Sequence, residues 1–255
     1  MSLFVDGSIS GISDLLAHDA ALLRVASSEG VDIAAKQELA TAELGIGIEE
    51  FLARRTGRPE GGPYPSRVTI EQVVATAPLK HWHALRTLAL IYDDVSGNHV
   101  GSRYSSKQND YSRRARWAEQ SLYRTGVGLV YAPIRRADKP EVRVIPGPLP
   151  AATYCVQVVW RTQSGAGGAP SEVLIVTLTE NGTIGVRASG APDGAAGFDV
   201  YAGGSAESVT KQNSGMTAAG DEWVLPAGGL VDGEGPAAGQ SPDFYLHNDR
   251  ILQRG

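Results

Sequence analysis

The sequence predicts a multidomain α+β protein: an N-terminal antiparallel helical bundle with a β-hairpin, then a C-terminal β-sandwich and an extended tail. Before residue 146, apolar residues recur at steps of three, four and seven, as on one face of a helix. From residue 152 they alternate in short runs between Gly, Ala, Asn and Asp clusters, as in strands and turns. Pro146–Pro150 separates the halves with three prolines, which suit neither a helix nor a sheet interior.

The N-terminal segment predicts two helices. The first begins near Ser13, where a hydroxyl can cap the helix, and ends at Gly30. The second begins after Asp32 and ends at Gly57. Glycines at positions 45 and 47 weaken its middle, so we expect a break or a kink there.

Two longer helices follow an exposed loop. The loop is Arg58–Arg67, which is rich in proline and glycine. Thr69 then caps a short helix, and Pro78 opens the next one because proline loses nothing in a first turn. The longest helical pattern is Ser102–Thr125, with Gly126 as its stop.

The second half predicts strands. Val127–Ile134 and Glu141–Ile145 are expected to form a β-hairpin leaving the bundle, and Asn181-Gly182 is a favoured hairpin turn. Seven or so short strands describe a sandwich. The expected domains are residues 1–145 (helical), 146–151 (linker), 152–226 (sandwich) and 227–255 (extended tail).

Charge and composition exclude several classes of protein. Residues 1–145 carry a net charge of +1 and residues 146–255 a net charge of −6, so neither part is basic enough to indicate nucleic-acid binding by charge alone. The apolar runs are far shorter than the ~18 residues of a membrane span. Cys155, the only cysteine, lies in a strand-like run and is expected to be a buried, inert thiol.

Candidate catalytic residues are sparse, and no cofactor, metal or enzyme activity is expected. Asp93, Asp94 and His99 could form a small acid–base or metal site, but a loop or capping role explains the carboxylates. His81 and His83 are two residues apart, so on a helix they point in different directions and cannot share a metal.

The densest basic cluster lies on the last long helix. Two explanations stay open: a surface near DNA phosphates, or a solvated face or inter-subunit salt bridges with Glu119 or Asp110. Its members are Arg103, Lys107, Arg113, Arg114 and Arg116.

The helical half resembles the head–tail connector adaptors of tailed double-stranded DNA phages. The resemblance is carried by Pro78–Tyr92 (PLKHWHALRTLALIY), followed by Tyr104, Lys107 and Tyr111 on the next helix, and it covers roughly residues 10–130. It implies a structural virion protein of the neck, made in the host cytoplasm. Such a protein forms a ring of about twelve copies under the portal, extends the DNA channel for genome ejection and offers a platform to tail or nozzle proteins.

The second half is similar to an immunoglobulin or fibronectin type III module. Tyr154–Trp160 and Pro170–Val173 match the last strand pair of such modules, and Gly197–Tyr201 matches their central strand, so the strands occur in shifted order. These modules usually bind or brace. The alternative function is therefore a phage tail or neck protein whose sandwich recognises carbohydrate or another virion protein.

The adaptor resemblance also implies a role for the C-terminus, which commonly reaches the portal in that family. Apolar anchors on a flexible segment can order on binding, although the tail could instead pack on its own sandwich. The expected portal or neighbour contacts are Phe244, Tyr245, Leu246, Arg250, Ile251 and Leu252.

Overall fold

The chain folds into two compact units that are interleaved in sequence. The helical unit contains residues 7–130 and the chain from 242 onward, and the β unit contains residues 1–6 and 131–241. The β unit is thus largely an insertion in the helical unit. The computed structural model describes residues 1–7, 9–56, 68–97 and 103–248.

The domain boundaries differ from those expected. Residues 131–145 belong to the β unit and not to the helical domain. Pro146–Leu149 are not a linker, because they continue a strand that begins at Glu141. Proline is tolerated there because this strand lies at the edge of its sheet and its pairing with the neighbouring strand is irregular between Pro146 and Leu149.

Five helices build the described part of the helical unit. The first predicted helix is in fact two, because the chain breaks at Asp19, whose carboxylate accepts the N–H of Ala21 at 3.1 Å. The short helix predicted after Thr69 is a 3₁₀ turn, Ile70–Gln72. The helices are α1 (Ile12–His18), α2 (Leu22–Glu29), α3 (Ile33–Thr56), α4 (Ala77–Gly97) and α5 (Ser105–Thr125).

The α3 helix continues through Gly45 and Gly47 for 24 residues, so the chain has no break at these glycines. Gly47 serves close packing instead. A Cβ added there would lie 3.2 Å from Tyr123 Oη and 3.5 Å from the Trp82 ring. Helix α4 is the centre of the unit, buried on most sides and packed against α1, α3 and α5. Contacts of Tyr92 with Tyr104 and of Trp82 with Tyr123 make α4 and α5 antiparallel.

The predicted hairpin does not form. Strand β1 (Val127–Leu129) pairs antiparallel with the last strand of the chain, Phe244–Leu246, with Leu129 opposite Phe244. After β1 the chain turns away, and the side chain of Gln240 bonds Ala132 O and Ile134 N at 2.8 and 2.7 Å. Strand β1 therefore pairs with a segment distant in sequence and not with the nearby Glu141–Ile145 segment.

The β unit consists of two antiparallel sheets. Their strand orders are β2-β5-β9 and β4-β3-β6-β7, with β8 also pairing with β6. The Asn181-Gly182 turn joins strands of different sheets, so it is not the hairpin turn predicted. The strands are β2 (Glu141–Leu149), β3 (Thr153–Thr162), β4 (Leu174–Thr177), β5 (Gly182–Arg187), β6 (Ala195–Gly203), β7 (Thr210–Lys211), β8 (Thr217–Ala218) and β9 (Trp223–Val224), and β10 is Phe244–Leu246 of the helical unit.

Side chains from both sheets share one apolar core. Trp160 and Phe198 are fully buried at its centre, with ring centroids 5.8 Å apart, and Val156 and Ile184 pack around them. Cys155 is buried on the opposite side of β3, as expected. The α+β class, with helices first and an antiparallel β region second, is confirmed. Among the described helices, none is both long and apolar enough to cross a membrane.

Candidate functional site

The predicted basic cluster is split by the structure into inward and outward residues. Arg103 precedes α5 and is not on it; its guanidinium lies 5.1 Å from the Tyr104 ring centre. Lys107 points inward to Asp19, and Arg114 contacts His18 Nδ1 at 3.3 Å and lies over the Tyr111 ring. The five residues are therefore not one continuous basic surface.

Asp19 is the centre of a buried polar network that joins α4 and α5 to the turn between α1 and α2. Lys107 Nζ donates to Asp19 Oδ2 at 2.6 Å and to Tyr92 Oη at 3.1 Å. Tyr92 Oη also donates to Asp19 Oδ2 at 2.5 Å. Burial alone would raise the pKa of Asp19. The hydrogen bonds from Lys107, Tyr92 and the Ala21 N–H outweigh it and lower the pKa.

The tyrosines of this network are held in the protonated form. Tyr92 and Tyr111 stack with ring centroids 5.5 Å apart, and Tyr111 Oη donates to the carbonyl of His18 at 3.1 Å. Burial raises the pKa of Tyr111 to about 12, and burial with the nearby Asp19 carboxylate raises that of Tyr92 further. Neither phenol is poised to ionise near neutral pH, so the network positions helices.

The outward basic residues form one exposed strip along α5. Arg113, 79% exposed at its side chain, pairs with Asp110 at 2.7 Å, and Arg116 Nε donates to the Ser112 carbonyl at 3.3 Å. Arg124, which the sequence prediction missed, is exposed further along the helix. Trp117 lies among them and is 58% exposed. Such a strip combines cationic and aromatic contacts for a macromolecular partner.

A groove of about 460 Å³ runs between α3, α4 and α5 of the helical unit. Arg86 pairs with Glu43 across it, and Arg116 and Glu119 lie on its far wall. The hydrogen bond to Glu43 raises the pKa of Arg86, whereas burial raises the pKa of Glu119 despite the opposing charge of Arg86. Since Glu43 and Glu119 are far apart in sequence, no local pattern could have predicted this groove.

The histidines occupy two different environments. His83 is buried, with Ser10 Oγ 2.6 Å from Nδ1 and Thr41 Oγ1 2.9 Å from Nε2, which makes it a structural residue. His18 and His81 are partly buried and lie next to each other, with ring centroids 5.1 Å apart. Burial lowers the pKa of all three. Within the described ranges, no three His, Cys, Asp or Glu side chains are close enough to share a metal ion.

Asp93 and Asp94, the carboxylates considered for a small catalytic site, each bind a side chain of another helix. Asp93 Oδ1 accepts from Gln108 Nε2 at 2.6 Å, and Asp94 pairs with Lys36 at 2.8 Å. Both residues link α4 to neighbouring helices and point in different directions. His99 lies outside the described residues. The two carboxylates are therefore not brought together as a site.

The predicted C-terminal tail is divided between the two units. Residues 227–241 belong to the β unit, where Lys211 N–H donates to Glu234 O at 2.9 Å and Val231 N–H to Gln212 Oε1 at 2.9 Å, in line with the alternative of a tail that packs on the sandwich. Phe244–Leu246 instead form β10 on β1 of the helical unit, which corrects the expected extended tail there. Leu246 is buried, while Tyr245 is 44% exposed. Gly128 permits this docking, since a Cβ there would lie 2.7 Å from Pro242 Cγ. Arg250, Ile251 and Leu252 lie outside the described residues.

Comparison with known proteins does not assign the chain to a family. No protein-family model matches it, and no curated protein matches it.

Proposed function

We propose that this chain is a structural virion protein, a head-to-tail adaptor that forms a ring under the portal of a tailed phage. In this role it extends the DNA channel, docks the tail and has no enzyme activity. The proposal rests on where the structure places the residues that resemble the adaptor family. Pro78–Tyr92 form the central helix of the bundle, and Tyr104, Lys107 and Tyr111 pack against its end.

The exit of the C-terminus supports portal docking by the last residues. Asn248 N–H donates to the carbonyl of Tyr123 at 3.0 Å, so the chain continues from the end of α5. Phe244 and Leu246 are already occupied by pairing with β1. We therefore restrict the proposed portal contact to Arg250, Ile251 and Leu252. Tyr245, a few residues before them in the chain, is exposed.

We propose that the β unit is an immunoglobulin or fibronectin type III-like module in shifted strand order, which braces the neck. The order β4-β3-β6-β7 supports this, because β3 contains Tyr154–Trp160 and its neighbour β6 contains Gly197–Tyr201. Pro170–Val173 lie just before β4, and Ser171 N–H donates to Val158 O of β3 at 2.9 Å. Carbohydrate recognition would require exposed aromatics on one sandwich face or loop. Trp160, Phe198 and Tyr201 are buried, Trp223 is half-buried and Tyr131 alone is 60% exposed, so bracing is the better supported role.

The test is co-sedimentation with the portal protein encoded in the same genome. The full chain is compared with a variant ending at Asn248, which keeps β10 intact. We expect the full chain to migrate with the portal ring and the truncated chain to bind it at least tenfold more weakly. Binding by both would retain the adaptor and exclude the tail contact. Binding by neither would overturn the proposal.

A further inference from the structure

We infer that neighbouring copies of this chain join head to tail through two exposed helix faces, α5 of one copy docking on α3 of the next. The inference deepens the proposed ring and rests on it for its biological setting. It is carried by the pattern of apolar and charged residues on these two faces. The partner that we propose for each face is a second copy of this chain.

The first surface, the α3 outer face, is an exposed apolar stripe with acidic ends. Leu39 and Ile46 are 44% and 68% exposed, and the small Ala42 lies between them. Steps of three and four place all three on one side of the helix. Glu38 and Glu49 are exposed at the two ends of this stripe.

The second surface, the α5 outer face, is its counterpart in charge and shape. Trp117 is its exposed apolar residue, and Arg113 and Arg124 lie on either side of it along the helix. The pair between Arg113 and Asp110 is solvent-exposed, so a neighbour's carboxylate can replace Asp110 at small cost. A basic face with a central tryptophan is typical of the core of a protein interface.

The spacing of the two faces matches. Glu38 and Glu49 are eleven positions apart, as are Arg113 and Arg124. At about 1.5 Å per residue, both pairs span roughly 16 Å. With the helices parallel, and Arg113 opposite Glu38 and Arg124 opposite Glu49, Trp117 faces Ala42. The indole then fills the gap between Leu39 and Ile46.

The geometry points to a neighbour and not to a contact within one chain. Helices α3 and α5 pack on α4 through their buried sides, so their outer faces point away from it and cannot meet in the same copy. Contact between two different faces is heterologous and repeats around a ring. DNA could bind the arginines of α5, but it would leave the apolar Leu39 and Ile46 of α3 exposed. A second copy of the chain would cover both faces.

The test is a charge swap measured in the full-length protein, both free and on portal rings. Glu49→Arg and Arg124→Glu are made singly and together, with Glu180→Arg on the exposed surface of the β unit as the matched control. Sedimentation velocity gives the self-association constant, and density gradients give the copies bound per portal. Each single variant should weaken association about tenfold or more, because like charges then face each other. The double variant should restore it.

Trp117→Ala supplies a second measurement that does not depend on charge. It should weaken association as strongly as a single reversal, while Ile175→Ala, an exposed apolar control on β4, should not. Circular dichroism verifies that every variant is folded.

The inference would be overturned by no self-association in either setting, by single reversals equal to Glu180→Arg, or by a double variant no better than the singles. Loss of duplex-DNA binding in Arg124→Glu with unchanged self-association would assign the α5 outer face to DNA instead, and would also overturn it. If the double variant restores self-association of the free protein but no variant binds the portal, the interface is upheld and the proposed adaptor function is excluded. If every variant binds the portal as well as the unchanged chain does, the adaptor function is retained and the interface is excluded.

Discussion

The two units of this chain both bury polar side chains, but they differ in histidine. In the helical unit, Asp19 and His83 are each bonded to residues distant in sequence. The β unit has an apolar core around Trp160 and Phe198, and its buried Asp199 pairs with Arg161 and Lys211. All five histidines of the chain lie in the sequence of the helical unit, and none lies in residues 1–6 or 131–241. We therefore expect histidine protonation to change the stability of the helical unit and not that of the β unit.

The largest expected effect comes from emptying the β core. Trp160→Ala should lower the free energy of unfolding of the β unit by about 3–5 kcal/mol, because a fully buried indole leaves a cavity. Urea unfolding followed by circular dichroism measures it. Trp160→Phe should cost less, since it keeps a ring and removes an indole N–H for which the described residues supply no hydrogen-bond partner. An equal loss in the helical unit would break the distinction between the units.

A smaller effect is expected from the polar network of the helical unit. Asp19→Ala should lower its free energy of unfolding by about 1–3 kcal/mol, because Lys107 and Tyr92 lose a buried acceptor. Lys107 is 43% exposed, so water compensates part of the loss. The control Asp110→Ala breaks an exposed pair and should cost under about 1 kcal/mol. Equal costs would mean that the network is not structural.

Acidification should separate the two units. Burial lowers the folded-state pKa of His83, His18 and His81, so below the unfolded value of about 6.5 the unfolded chain binds more protons than the folded one. The free energy of unfolding of the helical unit should therefore fall between pH 7 and pH 5. The β unit has no histidine to respond, and His83→Gln should reduce the slope of the helical unit. Parallel pH profiles for the two units would contradict this assignment.

A second acid-dependent loss should follow at lower pH in the helical unit. The pKa of Asp19 is lowered in the folded protein, so its stabilisation is complete above the unfolded pKa near 4. It disappears as pH falls through the folded-state pKa. Asp19→Asn should remove this part of the profile. An unchanged profile in Asp19→Asn would show that other carboxylates cause the loss.

Local signals predicted what is local in this fold. The α4 and α5 helices and the Gly126 stop follow from apolar spacing and a glycine, whose φ of 107° suits no other residue well. The break at Asp19 was missed because the capping carboxylate interrupts an apolar pattern that continues through it. The partner of β1 was missed because it lies more than a hundred residues away. Of the basic residues, the sequence identified the helix but could not tell Lys107, which faces Asp19, from the outward Arg113.

Ring formation on a portal through the helical unit can be seen by electron microscopy of the full chain mixed with portal rings. We expect class averages with a second closed ring stacked on the portal. That ring should be lost in Arg124→Glu and recovered in the Glu49→Arg, Arg124→Glu double variant. Portals with no added density, or with isolated copies that never close into a ring, would contradict it.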